Sequence, residues 1–367
     1  MKKNIVLIHW VDVPQQWAID LYYYTKYLSL NQNINVKTII SNVFLWNNDS
    51  FMKDSFIEIW NNYNKWLLSS IKFIYYAFIE LKKINRINKI DYVHFFSMHP
   101  MSVILQFFVK YFLRIDTIYD IISWPIWKWL VYNISYITEK IWIFLSKKYI
   151  IDHKKLINLL SISTEKKYIE LWIWCEIKNN LNYENYFNKK KNEVIFMYIG
   201  SLNKDRELLN LIYTFNKLSE VKDFTYRLII IWKWDDEQNL KRNTITKNIK
   251  FLWYQPHNKI PFYMYNSDVL ISYIPKKIYF EYQPPTKLLE WLAIWKIVIA
   301  TSTFAQNEIL QSYNDFLFDD NYESLKNKII YISKNINNYS ENDIKKIVED
   351  FTWEKLINEK LIPFYLK

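Results

Sequence analysis

Glycine is all but missing from this chain of 367 residues: it has one, where ordinary usage of about 7% supplies roughly 26. Taken literally, that excludes most turns that need φ > 0 or a close backbone approach. Cysteine is as scarce. The single Cys175 excludes a disulfide framework and fits a reducing, cytoplasmic compartment. Arginine occurs only at Arg86, Arg114, Arg206, Arg227 and Arg242, so lysine carries the formal net charge of +11. With no arginine cluster and no known binding motif, nucleic acid is not an expected partner. Abundant Lys, Ile, Asn, Tyr and Phe read as the imprint of AT-rich coding; attraction to an anionic membrane or a phosphorylated substrate is the functional alternative. No run of 18 apolar residues occurs, so no transmembrane helix is expected. The apolar start Asn4–Ile8 breaks at Asp12 and Pro14 without a small-residue cleavage site, and reads as a buried strand and not a signal peptide.

What is present in excess is tryptophan, at 17 residues. Several stand where glycine belongs. Ile229–Ile231 is a buried strand running into Trp232-Lys233-Trp234-Asp235, a turn that normally needs residues without a Cβ. Trp295 falls between a helix and a strand, at the position after a helix end where glycine is usual. Indoles at about a dozen such sites, at about 1–3 kcal/mol each, exceed the roughly 5–15 kcal/mol that holds a domain together. The expectation is that most of these tryptophans are UGA codons of an organism that reads UGA as glycine.

Short β-branched runs alternate with amphipathic stretches. Strands are expected over 4–8, 35–40, 91–96, 117–122 and 160–163, with helices over 19–30, 66–81 and about 102–113 and another ending near Lys148. The 66–81 stretch reads as a packed helix, with a membrane-surface helix as the alternative. After the polar run Asn188–Asn192 the alternation restarts. Strands are expected over 193–199, 226–231, 249–252, 268–273 and 297–301, helices over 207–218, 260–265 and 286–293, and a final helix over 353–366. The expected architecture is α/β: two doubly wound parallel-sheet domains, 1–188 and 189–350, facing across a cleft, with 351–367 returning to the first. Ligands of such sheets bind beyond the carboxyl ends of the strands.

The most informative segment is Pro284-Pro285-Thr286-Lys287-Leu288-Leu289-Glu290, continuing through Trp295 to Ala300. Lys287 and Glu290 share a face near a helix N-terminus, which favours anions. A surface ion pair meets that spacing as well. Ile199-Gly200-Ser201-Leu202-Asn203-Lys204-Asp205-Arg206 is a strand, glycine and basic turn. Further segments are Phe251-Leu252-Trp253-Tyr254-Gln255-Pro256, Asn266–Ser272, Phe351-Thr352-Trp353-Glu354, His9–Ala18, Asp91–Pro100 and Trp124–Trp129.

Together these resemble the retaining, family 4 type of GT-B glycosyltransferase, closely over 193–366 and loosely before it. Its second domain carries P-x-K-x-x-E-Y-x-A-x-G-K-P-V-I-A, a close match to 285–300 here if Trp295 is glycine. The resemblance implies a GT-B fold and transfer of a hexose from a nucleotide diphosphate sugar to an acceptor hydroxyl with retention. Neither a metal nor a cofactor is implied. Glu290 would hold the ribose hydroxyls, Arg206 and Lys204 the diphosphate, and Gly200, Thr286 and Lys287 would line the donor site. Trp17 and Trp232 take glycine-loop positions, and Tyr254 lies in the loop that contacts the base. The family's donor-sugar glutamate corresponds to Tyr282, with Glu281 one residue upstream. His94 keeps its place in the family's D-V-V-H-x-H segment and His99 is a substitute for the second histidine; a buried structural histidine is the alternative. The 124–129 run is an acceptor-site lid if recoded. The implied acceptor is a sugar or lipid-linked intermediate of cell-surface polysaccharide or glycolipid synthesis, with peripheral contact at the inner face of the membrane. A GT-B nucleotide-sugar epimerase and a non-catalytic sugar-binding scaffold are the alternatives.

Overall fold

The computed structural model describes residues 2–9, 12–13, 19–43, 54–59, 66–96, 102–121, 129–159, 161–162, 166–171, 175, 186–202, 204–231, 236–252, 255–256, 259–282 and 285–367. The chain divides into two units, Met1–Ile173 with Trp353–Lys367, and Trp174–Thr352. The polar run 188–192 lies inside the second unit.

In the first unit the strands are β1 (Lys3–Ile8), β2 (Asp12–Val13), β3 (Ile34–Ile40), β4 (Asn42–Val43), β5 (Phe56–Glu58), β6 (Tyr92–Phe96), β7 (Asp116–Ile121), β8 (Lys148–Ile151) and β9 (Lys167–Glu170). Seven of them form one sheet in the order β5-β3-β1-β6-β7-β8-β9, and β2 pairs with β4. Every pairing is parallel. Such a sheet is covered on both faces, so its central strands read as continuous apolar runs. Phe95 and Phe96 on β6 are both buried, although as successive strand residues they point to opposite faces. Winding reverses between β1 and β6, where Ile5 sits beside Tyr92 and Leu7 beside His94. The C-terminal segment belongs to this unit. It comprises a helix Trp353–Leu356, one π-helical turn Ile357–Leu361 and a helix Ile362–Leu366. Trp353 is buried and stacks on Tyr23 at 5.0 Å.

The second unit carries β10 (Glu193–Ile199), β11 (Thr225–Ile231), β12 (Ile249–Leu252), β13 (Val269–Ser272), β14 (Ile297–Thr301) and β15 (Leu317–Phe318). They form a parallel sheet in the order β12-β11-β10-β13-β14-β15. The start of this sheet is clamped by charge. Arg227 donates through Nε and Nη2 to the Glu193 carboxylate at 3.0 and 2.8 Å, and through Nη1 to the Phe187 carbonyl at 2.9 Å. Helix starts are capped by local chemistry. The Asn321 side chain accepts from Ser324 N, and Ser340 forms a reciprocal box with Asp343.

The expected elements of the second unit are present within a residue or two, and those of the first unit up to Ile121 likewise, except that the helix expected over 66–81 continues to Ile87. The strand expected over 160–163 is not found. Residues 160 and 163 lie outside the described residues, and Ser161 is a turn with φ of 47° after the helix Lys155–Leu159. The strands in this region are β8 and β9. The stretch ending near Lys148 closes as a helix at Leu145, and Lys148 itself opens β8. Lys148 is buried, and its Nζ donates to the Phe364 carbonyl at 2.8 Å. A lysine inside a buried strand hides that strand from a hydrophobicity reading.

Candidate functional site

Winding in the second sheet reverses between β10 and β13, and crevices at such points take ligands. Gly200 follows β10 there. A Cβ at Gly200 would lie 2.8 Å from the Tyr198 hydroxyl and 3.4 Å from Lys287 Nζ. Glycine is needed here for space: the Tyr198 phenol folds back to donate to the Ser201 carbonyl at 3.2 Å. The turn that follows contains a short 3-10 helix, Lys204–Arg206, and redirects at Glu207, whose φ is 49°. Lys277 pins this turn from the next layer. Its Nζ donates to the Asp205 carbonyl at 3.0 Å and pairs with Glu207 at 2.7 Å. Arg206 lies between these anchors with its guanidinium 4.4 Å above the Phe280 ring. Stacking of this kind orients the planar fork for a bidentate anion. Lys204 is exposed.

Lys287 enters from the helix Thr286–Ala293, with Thr286 as its first residue and Pro285 at the N-cap. Its Nζ donates to the Ile199 carbonyl at 3.2 Å, at the end of β10. Burial, and then the Arg206 charge, bring its pKa down from 10.5 to about 8, against the opposing pull of Glu290. Arg206 and Lys287 therefore concentrate positive charge beside Gly200, an arrangement that an incoming phosphate relieves. Glu290, one turn further along the same helix, is exposed. Its carboxylate lies close enough to help burial push the Cys175 thiol up to about 12. Cys175 donates to the Phe351 carbonyl at 3.2 Å, so this thiol is structural and not nucleophilic.

Gly200, Arg206, Lys287 and Glu290 are thus brought together. Glu281 is turned elsewhere: its Oε2 accepts from Phe304 N at 2.7 Å, at the start of the helix Phe304–Leu310. The Tyr282 ring packs 5.4 Å from Phe304. Trp17, His99, Trp232 and Tyr254, and the 124–128 part of the supposed lid, lie outside the described residues. Phe280 and Tyr198 escaped the sequence reading, because a stacking partner and a folded-back phenol leave no spacing signal.

In the first unit, His94 is fully buried on β6. Its Nδ1 lies 2.5 Å from the Tyr365 hydroxyl and its Nε2 3.5 Å from Asp120 Oδ2, with Phe96 stacked at 4.5 Å. These are the surroundings of an interior histidine. Asp120 in turn interacts with two further carboxyls, Asp20 and Asp152. Burial and then the Asp120 charge raise Asp20 from 3.8 to about 7, and burial together with Asp120 and Asp20 holds Asp152 well above its ordinary range. His9, beyond β1, is lowered to about 3 by burial. Spread over three separate parts of the chain, the acids give no local motif. Among the described residues no group of His, Cys, Asp and Glu is arranged to hold a metal ion.

Residues 181–347 match the family model described as "Glycosyl transferases group 1". No curated protein sequence matches the chain. Its fold is that of solved GT-B proteins along its whole length. A glycosyltransferase from Rickettsia africae ESF-5 is 17% identical with a TM-score of 0.68, covering 99% of this chain and 98% of that one. The lipopolysaccharide outer core galactosyltransferase WaaB is 12% identical, with a TM-score of 0.66 and 99% of each chain covered. Anabaena Alr3699/HepE, solved in complex with UDP and glucose, is 12% identical, with a TM-score of 0.65 and 100% of each chain covered.

Proposed function

We propose that this chain is a glycosyltransferase that moves a hexose from a nucleotide diphosphate sugar to an acceptor hydroxyl with retention at the anomeric carbon. The observation that carries the reading is the convergence of Gly200, Arg206 and Lys287 at the β10/β13 switch point. The group 1 match over 181–347 supports the chemical class. The UDP and glucose in Anabaena Alr3699/HepE make UDP-sugars the first donors to test. In this reading the Arg206 fork and the Lys287 ammonium hold the diphosphate, with exposed Lys204 beside them, and Glu290 accepts from the ribose hydroxyls. As the glycosidic bond breaks, negative charge grows on the leaving phosphate oxygen, where fixed positive groups stabilise it without reorganisation. That oxygen then takes the proton of the attacking hydroxyl, so no separate base or metal is invoked. The acceptor is a sugar or lipid-linked intermediate of cell-surface polysaccharide or glycolipid synthesis, met on the cytoplasmic side of a membrane.

The test is a thermal-shift panel of UDP-, GDP-, ADP- and TDP-sugars, followed by proton NMR of the product with a model acceptor. A shift with one nucleotide and an α-linked product from an α-linked donor are expected. Binding without transfer would leave a scaffold, and conversion of free UDP-N-acetylglucosamine to its 2-epimer would make the chain an epimerase.

The same reading takes position 295 as glycine in the natural polypeptide. Trp295 has φ of 62° and closes the Thr286–Ala293 helix through two bonds, Lys296 N to the Trp291 carbonyl at 3.3 Å and Trp295 N to the Leu292 carbonyl at 2.9 Å. That pattern is a Schellman cap, whose left-handed residue is ordinarily glycine. The indole Nε1 is buried without a partner. A tryptic peptide of the natural protein reports glycine or tryptophan at 295 by mass; tryptophan, or a UGG codon there, ends the recoding idea.

A further inference from the structure

The first unit turns an apolar and basic face outward on three neighbouring helices, Trp66–Ile87, Ser102–Tyr111 and Trp129–Leu145. The first packs on the second through Phe78 and Phe108 at 5.8 Å. The second meets the third where Lys110 sits 5.7 Å from the Phe144 ring. Large side chains stand in water along the outer side. On the third helix Ile137, Ile141 and Phe144 follow at helical spacing, with Phe144 70% exposed. Beside them, Phe107 and Phe112 flank the end of the second helix, Phe112 at 66%. Tyr75, at 60%, continues the surface on the first. Single exposed apolar residues are ordinary, but a run of them across three adjacent helices marks an interaction surface.

Charge identifies the partner. Lys72, Lys82, Arg86 and Lys110 lie on these helices among the exposed rings. Two lysines stand near the Phe144 ring, Lys110 at 5.7 Å and Lys166 at 5.8 Å, the latter also donating to the carbonyls of Ile143, Phe144 and Ser146. The described residues of the three helices include two carboxylates. Glu80 is already paired with Lys83 at 2.6 Å, and Glu139 is turned inward to the Tyr119 hydroxyl. The face is therefore apolar, cationic and without free negative charge. Two copies of such a face repel one another, which argues against self-association. An anionic lipid surface complements it: rings enter the acyl boundary while lysine stems reach up to the headgroups. No described helix is long and apolar enough to cross a membrane, so any contact lies in the plane.

We propose that the outer face of these three helices docks on an anionic phospholipid surface. The inference goes beyond the membrane contact assumed above, because it assigns that contact to named residues, and it stands independently of the donor site in the other unit. The experiment is vesicle flotation of the full chain at low and high salt, with phosphatidylcholine alone and with phosphatidylcholine mixed with phosphatidylglycerol. Binding to the mixed vesicles only, weakened by salt, is expected. Phe112→Ser/Phe144→Ser should lower partitioning on the order of a hundredfold, and Lys72→Gln or Lys110→Gln roughly fivefold each. Circular dichroism melts check that each variant folds. Failure to float, equal binding to both vesicles, or variants that bind like the parent would overturn the proposal. So would concentration-dependent dimerisation abolished by the Phe pair, which would make the face a contact between copies. Nucleotide-sugar binding is unaffected by any of these outcomes, so loss of the transferase reading and loss of this one are separable.

Discussion

Lys287→Met separates the cost of the donor site from its use. In the folded protein Lys287 has a pKa of about 8 against 10.5 ordinarily, chiefly through burial and then through Arg206. The unfolded chain therefore holds a proton that the folded chain releases between pH 8 and 10.5. Stability rises with pH across that window, and the full penalty is felt below it. At about 1.4 kcal/mol for each tenfold change in proton affinity, the drop corresponds to about 3 kcal/mol. Solvent reaches part of the side chain and screens some of this. Removing Nζ also leaves the Ile199 carbonyl short of a donor, at about 1 kcal/mol. The net expectation for the variant is a gain of about 1–2 kcal/mol at pH 7, roughly 2–8 °C in melting temperature for a domain of this size. By pH 10.5 the gain should be gone. The assay is a pair of melting curves, parent and variant, at both pH values, repeated with a saturating UDP-sugar. The variant should melt higher alone at pH 7 and lose most of the ligand-induced shift. A variant that melts lower at pH 7, or whose difference from the parent ignores pH, would refute the burial argument.

Other expectations follow from single sites. Trp295→Gly should raise stability by about 1–3 kcal/mol, by relieving a left-handed tryptophan and an unpartnered indole N–H; chemical denaturation reads it, and a loss of stability would count against the recoding idea. Glu193→Gln should cost about 3–5 kcal/mol by leaving the Arg227 guanidinium buried without its carboxylate, which urea unfolding can measure. Asp20 is raised to about 7, so the folded state keeps a proton that the unfolded chain gives up above pH 4, and stability is lost as pH rises between 4 and 7. Asp20→Asn should therefore melt higher than the parent at pH 8 and equal to it near pH 4; equal melting at both would remove the buried-acid assignment.

Much of the second unit was legible in the sequence because its elements are short and its signals local. The run Val194–Ile199 is apolar, and the Lys287/Glu290 spacing and the helix-ending position of Trp295 both fall within one segment. The Schellman cap at Trp295 appears where the sequence required a left-handed residue. The setting of Arg206 was not legible, because Phe280 and Lys277, which hold it, lie over seventy positions away in the chain. In the first unit the sequence misled where burial and polarity part company. Lys148 disguises a buried strand, and Asp20 and Asp152 meet Asp120, the neighbour of His94, from distant parts of the chain. The expected absence of a spanning helix says nothing of the three-helix face, since its apolar residues are interleaved with lysine.

The central claim is that Arg206 and Lys287 hold a nucleotide diphosphate. Calorimetric titration with UDP-glucose, and then with the other nucleotide sugars, compares the parent with Arg206→Ala and with the exposed control Lys222→Ala. Saturable binding in parent and control is predicted, weakened at least tenfold in Arg206→Ala, with affinity falling as pH rises through 8. No binding of any nucleotide sugar to the folded parent, or an affinity indifferent to Arg206, would contradict it.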